Sequence, residues 1–297
     1  MNTEDTTGGP GTLVPHFPSH RARASSPWLR AWLWGERAWQ DFLHLVMPAD
    51  CVVCGAEDHT LCPACSAALR RQTAQPFRAE RFADALVGVL GEPYLPVLAA
   101  GHYRDAFAAT ILGFKNHGRT ELSAPLGRCL ARALDQVPEQ LKQRPSASEP
   151  PQAPALWLVP IPSTGSGWRR RGYDPVALLL ESLVKEGRLP SGVVIAPILG
   201  SKVKAPWRRH HQKGLGRAAR RRNVRNTMKI KRRRGRRFRL LANPNGQAVL
   251  LLDDVLTTGS TLREAARTLE KAGFLVRGAV VLAAARAPEK GIVNEPR

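Results

Sequence analysis

The sequence predicts an α/β protein: a mostly parallel sheet flanked by helices, with a small cysteine-bearing module ahead of it. Three observations carry this expectation. Short apolar runs that suit buried parallel strands alternate with segments of helical period. One such run, Val249-Leu250-Leu251-Leu252, opens directly onto an acidic pair, a hydroxyl-rich turn and a further helical segment. Four of the five cysteines fall into two C-x-x-C pairs, Cys51/Cys54 and Cys62/Cys65, with seven residues between them.

Residues 1–27 are polar and rich in Gly, Pro and Ser, without the apolar segment of a signal peptide, and are expected to be a disordered tail. Trp28, Trp32, Trp39, Phe42, Leu43 and Val46 follow a rough helical period that Pro48 ends. This helix packs on the domain that follows or lies at a membrane surface. With the cysteines it makes a unit over residues 28–70. Disulfides are rare in cytoplasmic chains, and four thiolates at this spacing suit a closed tetrahedral Zn²⁺ site, with Gly55 placed for the tight turn. A redox pair and free core thiols are the competing readings.

A domain over residues 95–290 follows. It reads as a strand at 97–103, helices at 104–115 and 121–134 split by Asn116-His117-Gly118-Arg119, and a flexible insert rich in Pro, Ser, Gln and Glu at 138–155. Cys129 shares the helical pattern of Leu122, Leu126, Leu130 and Leu134, which makes it a small core residue rather than a nucleophile. A second strand at 156–162 runs into a proline-pinned loop, followed by Arg169, Arg170 and Arg171. Asp174 is placed to cap a helix that starts at Pro175 and buries Val176, Leu179, Leu180 and Leu183. A third strand is expected at 193–199. After the strand from Val249, the acidic pair follows at the strand's end. Leu262, Ala265, Ala266 and Leu269 mark a helix, and a last strand spans 274–284.

With 297 residues and 43% apolar composition the chain can bury a real core. No apolar run approaches the roughly 18 residues of a membrane span, and a cytoplasmic protein is expected. The net charge of +21 is local: residues 202–239 hold 18 Lys and Arg and no Asp or Glu. Such runs bind phosphates by counterion release, and Trp207 among them is able to stack on a base. Arg208, Arg209, Lys231, Arg232, Arg233, Arg234, Arg236 and Arg237 are therefore candidate contacts to single-stranded DNA, with a solvated basic loop as the plainer reading.

The order strand, acidic pair, hydroxyl turn, helix has a chemical use. Ligands of open α/β sheets bind beyond the carboxyl ends of the strands, and a helix N-terminus there holds a phosphate. Thr257, Thr258, Ser260 and Thr261 add hydroxyl donors, and Gly259 lets the backbone close on the anion. Asp253 and Asp254 would repel a phosphate and suit sugar hydroxyls and a hydrated Mg²⁺. A ligand with a 5-phosphate at one end and a ribose diol at the other satisfies every part.

The run LLLDDVLTTGST, which includes Val255 and Leu256, resembles the phosphoribosyl-pyrophosphate (PRPP) loop of type I phosphoribosyltransferases. The resemblance implies a type I phosphoribosyltransferase-like sheet, the acids on the ribose 2- and 3-hydroxyls, and the turn on the 5-phosphate. The wider layout resembles the ComF family, linked to competence and DNA uptake. It is carried by the cysteine pairs, Tyr103, Lys115 with His117-Gly118-Arg119, Val159-Pro160-Ile161-Pro162, Arg171-Gly172-Tyr173, Gln212-Lys213-Gly214-Leu215, Arg220-Arg221-Arg222-Asn223-Val224 and the loop from Asp253. The match runs from about residue 41 to about residue 286. Asp174-Pro175 departs from the Asn-Gln usual there, and the run at 231–237 lengthens the basic stretch.

The resemblance implies structural zinc at Cys51, Cys54, Cys62 and Cys65, and Mg²⁺ with PRPP. It places Ser163 of the 159–163 loop on the pyrophosphate side, with Arg169, Arg170, Arg171 and Lys115 as cationic help; solvated surface charges are the plainer reading of these cations. Two functions remain open. One is a phosphoribosyltransferase that displaces pyrophosphate with a nitrogen nucleophile. The other is a non-catalytic nucleotide-sensing adaptor that binds single-stranded DNA and partner proteins in DNA uptake.

Overall fold

A computed structural model describes residues 50–88, 90–137, 156–163, 171–202, 227–231 and 246–285, all within the unit Met47–Arg297. The expected tail at 1–27, the Trp-rich helix, the insert at 138–155 and most of the basic segment lie outside the described residues.

Six strands form the main sheet: β1 (Phe77–Arg78), β2 (Val97–His102), β3 (Leu156–Pro160), β4 (Val193–Ile195), β7 (Ala248–Leu256) and β8 (Leu275–Ala284). Their order is β1-β2-β8-β7-β3-β4, and every pairing is parallel except β1 with β2. β7 therefore lies in the interior, between β3 and β8, and its carboxyl end opens among the ends of its neighbours. Two further strands, β5 (Leu199–Ser201) and β6 (Met228–Ile230), make a separate antiparallel ribbon.

Five helices complete the described fold: α1 (Pro63–Gln72), α2 (Asp105–Asn116), α3 (Ser123–Asp135), α4 (Pro175–Lys185) and α5 (Ser260–Glu270). Alternation along the strands explains their apolar runs. Val97, Ala99, Trp157, Val159, Val249, Leu251, Ala279 and Val281 share one core cluster with Leu262, Ala265, Ala266 and Leu269 of α5. The intervening Leu156, Leu158, Leu250, Leu252, Val280 and Leu282 are buried as well. α3 packs on β2 and β8, and α4 packs on β7. A strand covered on both faces has no polar side to show.

The structure corrects the expected strands in two places. The strand expected at 193–199 is two strands in two sheets. Ala196 N–H still donates to Leu158 O at 2.9 Å, but Pro197 has no N–H to continue the ladder, and Ile198 N–H turns back onto Ala196 O at 2.8 Å. β7 also does not stop before the acids: Asp253 pairs with Val281 and Leu256 with Ala284. The acidic pair lies within the strand, which continues through Leu256.

Candidate functional site

The site is assembled at the carboxyl ends of β7 and β3. Asp253 and Asp254 are half-buried, and each carboxylate takes a backbone N–H from the next residue: Asp254 N to Asp253 Oδ1 at 2.9 Å, Val255 N to Asp254 Oδ1 at 2.7 Å. Lys115, from the last turn of α2, places Nζ 2.7 Å from Asp254 Oδ2. Burial, and then the neighbouring Asp254 charge, push the Asp253 carboxyl up to about 8, against the opposing pull of the Asp254 N–H and Lys115. A carboxyl that resists ionisation in the free protein is one that gains from a cation or hydroxyl donors brought by a ligand.

Beyond the acids the chain turns at Gly259, in the left-handed region at φ 73°, and enters α5 without a side-chain cap. Thr258 Oγ1 and Ser260 Oγ lie 3.0 Å apart, so both hydroxyls gather at the first N–H groups of the helix, the usual seat of an anion. Thr257 and Thr261 flank them. Leu256 is buried in the core, so its side chain serves the fold rather than the turn.

The turn is buttressed by the segment that precedes β2. Two 3-10 turns, Glu80–Phe82 and Asp84–Leu86, lie against it. Ala85 N–H donates to Thr258 O at 3.0 Å, and Arg263 Nη1 donates to Ala85 O at 3.0 Å. A Cβ on Gly259 would stand 2.5 Å from Leu86 Cγ and 3.0 Å from Ala83 Cβ, so glycine is required for contact as well as for φ. Only the small residues Ala83 and Ala85 hint at this close approach in the sequence.

On the other side, Ile161 N–H donates to Leu252 O at 2.8 Å, which brings the 159–163 loop alongside the acids. Asp174 caps α4 as expected, accepting from Val176 N at 3.1 Å and Ala177 N at 3.4 Å through Oδ1. Its second oxygen, Oδ2, accepts the Ser163 N–H at 3.4 Å, so one carboxylate joins the loop to the helix. Arg171 stands before it with Nε buried and without a hydrogen-bond partner among the described residues. Tyr173 donates its hydroxyl to Phe114 O, one residue before Lys115. Lys115, Ser163 and the acids, far apart in the chain, thus share one neighbourhood.

The four cysteines of the N-terminal module converge: their Sγ atoms all lie within 4.8 Å of one another. Cys54 and Cys62 are 3.7 Å apart at Sγ, close to the ~3.8 Å that tetrahedral Zn–S bonds of ~2.3 Å require. Gly55 takes φ 73° in the first turn, and Cys62 caps α1 by accepting the Cys65 N–H on Sγ at 3.5 Å. Burial opposes ionisation of Cys51, yet N–H donors at Cys62, Cys54 and Val53 outweigh it and hold the thiol down to about 6. The donor set and its spacing fit zinc. Cys129 stands apart, buried in α3, where desolvation raises its thiol.

Of the candidate nucleic-acid contacts, only Lys231 is described. Its N–H donates to Ile198 O at 2.7 Å and its stem lies over Gly200. Arg208, Arg209, Arg232, Arg233, Arg234, Arg236 and Arg237 lie outside the described residues.

The chain is similar to several known proteins. The phosphoribosyl transferase domain family matches residues 190–295, which include β7, the acidic pair, the hydroxyl turn and α5. Competence protein F of Haemophilus influenzae is 29% identical over 176 residues, 58% of this chain and 66% of that protein. The chain thus carries a phosphoribosyltransferase-like domain and is similar to a competence protein F. This chain therefore spans just under two thirds of the length of that relative. A short stretch of 33 residues, 11% of this chain, is 67% identical to the adenine phosphoribosyltransferase of Clavibacter michiganensis subsp. michiganensis, where it covers 19% of the protein. A hypoxanthine phosphoribosyltransferase structure from Staphylococcus aureus is similar at 15% identity and a TM-score of 0.31, over 54% of this chain and 62% of that one. Among the described residues no helix is long and apolar enough to cross a membrane.

Proposed function

We propose that this protein binds PRPP, or another ribose 5-phosphate ligand, and transfers the phosphoribosyl group to a nitrogen nucleophile in the cytoplasm. One observation carries the reading: two adjacent carboxylates at the end of an interior parallel strand, one paired with Lys115, stand directly ahead of a glycine-led helix N-terminus rich in hydroxyls. Asp253 and Asp254 take the ribose 2- and 3-hydroxyls, and the turn at 257–261 takes the 5-phosphate. Ser163, Arg171 and Lys115 serve the pyrophosphate side.

In the reaction the nitrogen lone pair forms a bond to C1 as the C1–O bond to pyrophosphate breaks. The bonding electrons leave with the pyrophosphate, and the nitrogen gives its proton to water. The transition state is oxocarbenium-like, as at other anomeric carbons. Mg²⁺ bound with PRPP would neutralise charge on the leaving group. The residues named contribute position and charge rather than a general base. The test is calorimetric titration of PRPP with Mg²⁺ into the native protein and into Asp253→Ala/Asp254→Ala. Binding present in the first and absent in the second supports the reading, and equal affinity in both overturns it.

The basic segment supports a second reading: a non-catalytic adaptor that senses a nucleotide and binds single-stranded DNA during uptake, together with competence or DNA-processing proteins. Its support is the concentration of 18 Lys and Arg within residues 202–239. Deletion of residues 231–237 is expected to weaken DNA binding and flatten its salt dependence. An unchanged slope removes that run as the contact.

A further inference from the structure

The cysteine module holds α2 at both ends. At the N-terminus, Arg104 offers no side-chain cap, and Asp105 begins the helix at φ 48°, in the left-handed region. Gln72, the last residue of α1, supplies what is missing. Its Oε1 accepts the Phe107 N–H at 3.0 Å, and its Nε2 donates to Asp105 Oδ2 at 3.3 Å. Gly101 of β2 lets this corner close, since a Cβ there would stand 3.0 Å from Gln72 O and 2.8 Å from Phe107.

At the other end, Val52 sits inside the first C-x-x-C pair and presses on Gly113. A Cβ on Gly113 would meet Val52 Cγ2 at 2.3 Å, so the valine rests against the bare helix backbone. Arg119, just past α2, donates Nη1 to Asp50 O. The place of Val52 is fixed by the fold of the cysteines themselves: Cys51 N–H donates to Ala56 O at 2.7 Å, Gly55 N–H to Cys51 O at 2.8 Å, and Val52 N–H to Thr60 O at 3.2 Å. Two residues beyond Gly113 is Lys115, with Nζ at Asp254.

We propose that Val52 and Gln72 are positioning residues for the ribose-phosphate pocket: through them the metal-binding module sets α2 and holds the Lys115 ammonium against Asp254. The proposal rests on the reading of Asp253 and Asp254 as ribose-binding acids. A carboxylate at Asp254 repels an anionic ligand, and the Lys115 ammonium offsets it at contact distance. α2 is a lever of twelve residues, ~18 Å long, held by the module at both ends, by its packed face and by the Tyr173 hydroxyl on Phe114 O. Loosening either clamp moves the ammonium. The flexible lysine stem absorbs part of the shift, so the effect is graded rather than all-or-none.

The experiment uses the full-length, zinc-loaded protein and the variants Gln72→Ala and Val52→Ala, each also in a Lys115→Ala background. Three quantities are read: metal content, the rate of Lys115 acetylation by an amine reagent followed by mass spectrometry, and PRPP affinity with Mg²⁺. The expected result is full metal content, faster acetylation of Lys115 and PRPP affinity about fivefold lower, with no further loss where Lys115 is already absent. Native acetylation rates in both folded variants overturn the proposal. So does a loss of affinity that simply adds to that of Lys115→Ala. If the native protein takes up no PRPP while acetylation still accelerates in the variants, the pocket reading falls and the positioning role stands. Gln72 lies at the edge of the module, so its variant carries the test should Val52→Ala fail to fold.

Discussion

The cysteine module at residues 51–65 and the acidic loop at 249–261 are similar in length, yet they are held together in opposite ways. The module closes on itself. Its four thiols face one another and its turns bond within the module. The acidic loop is held from outside, by the segment at 83–86, by Lys115 of α2, and by β3 and β8 on either side. A self-closing motif has one critical requirement, its metal. A motif braced by neighbours depends on many contacts, most of them far away in sequence.

The comparison breaks if the acids are not the centre of the pocket. Replacing both Asp253 and Asp254 with alanine removes the carboxyl acceptors proposed for the ribose diol and is expected to lower PRPP affinity by at least ~100-fold in calorimetry. For the module, Cys51→Ser or Cys62→Ser should take bound zinc from about one per chain to none by metal analysis, since a closed site does not hold with three thiolates. Retained metal would refute a shared four-cysteine site.

Two glycines sharpen the contrast, because both adopt φ 73°. Gly55 has nothing within 4 Å of a built Cβ, whereas Gly259 meets Leu86 and Ala83 at once. Gly259→Ala should cost about 2–4 kcal/mol, from the left-handed backbone and overpacking together. Gly55→Ala should cost about 1–2 kcal/mol, from the backbone alone. Chemical denaturation of the zinc-loaded protein measures both, and equal losses would remove the buttress from the account. Asp174→Ala should cost about 1 kcal/mol as a lost cap, while Asp174→Asn keeps most of it.

The acids also predict a pH slope. The carboxyl of Asp253 is raised on folding, so between its unfolded value and about 8 the folded state holds the extra proton. Its contribution to stability is complete below ~pH 4 and is lost as pH rises toward 8. Melting temperatures across that window should fall more for the native protein than for Asp253→Asn. Parallel curves would show that Asp253 ionises normally.

Much of this was legible in the sequence because it rests on local chemistry. The cysteine spacing, the strand-acid-hydroxyl-helix order, the Asp174 cap and the buried face of α4 all follow from neighbouring residues. The misread strand at 193–199 had its signal in Pro197, which ends a ladder regardless of flanking β-branched residues. The extension of β7 through the acids was hidden because its cause is β8, which follows later in the chain. The buttress at 83–86 and the Gln72 cap of α2 were also out of reach. Their residues are ordinary, and only the tertiary fold brings Leu86 to Gly259 or Gln72 to Phe107.

The β5–β6 ribbon has a consequence of its own. Ser201 pairs with Met228, and Lys202 N–H donates to Thr227 O at 2.7 Å, so residues 202 and 227 are brought side by side. Whatever lies between is closed by a stem, and closing a longer loop costs only about 0.6 kcal/mol for each doubling of length. The ladder from Leu199–Ser201 to Met228–Ile230 is what sets the register of this ribbon. A stem of this kind acts as a hinge pin: residues 202 and 227 stay side by side whatever number of residues joins them.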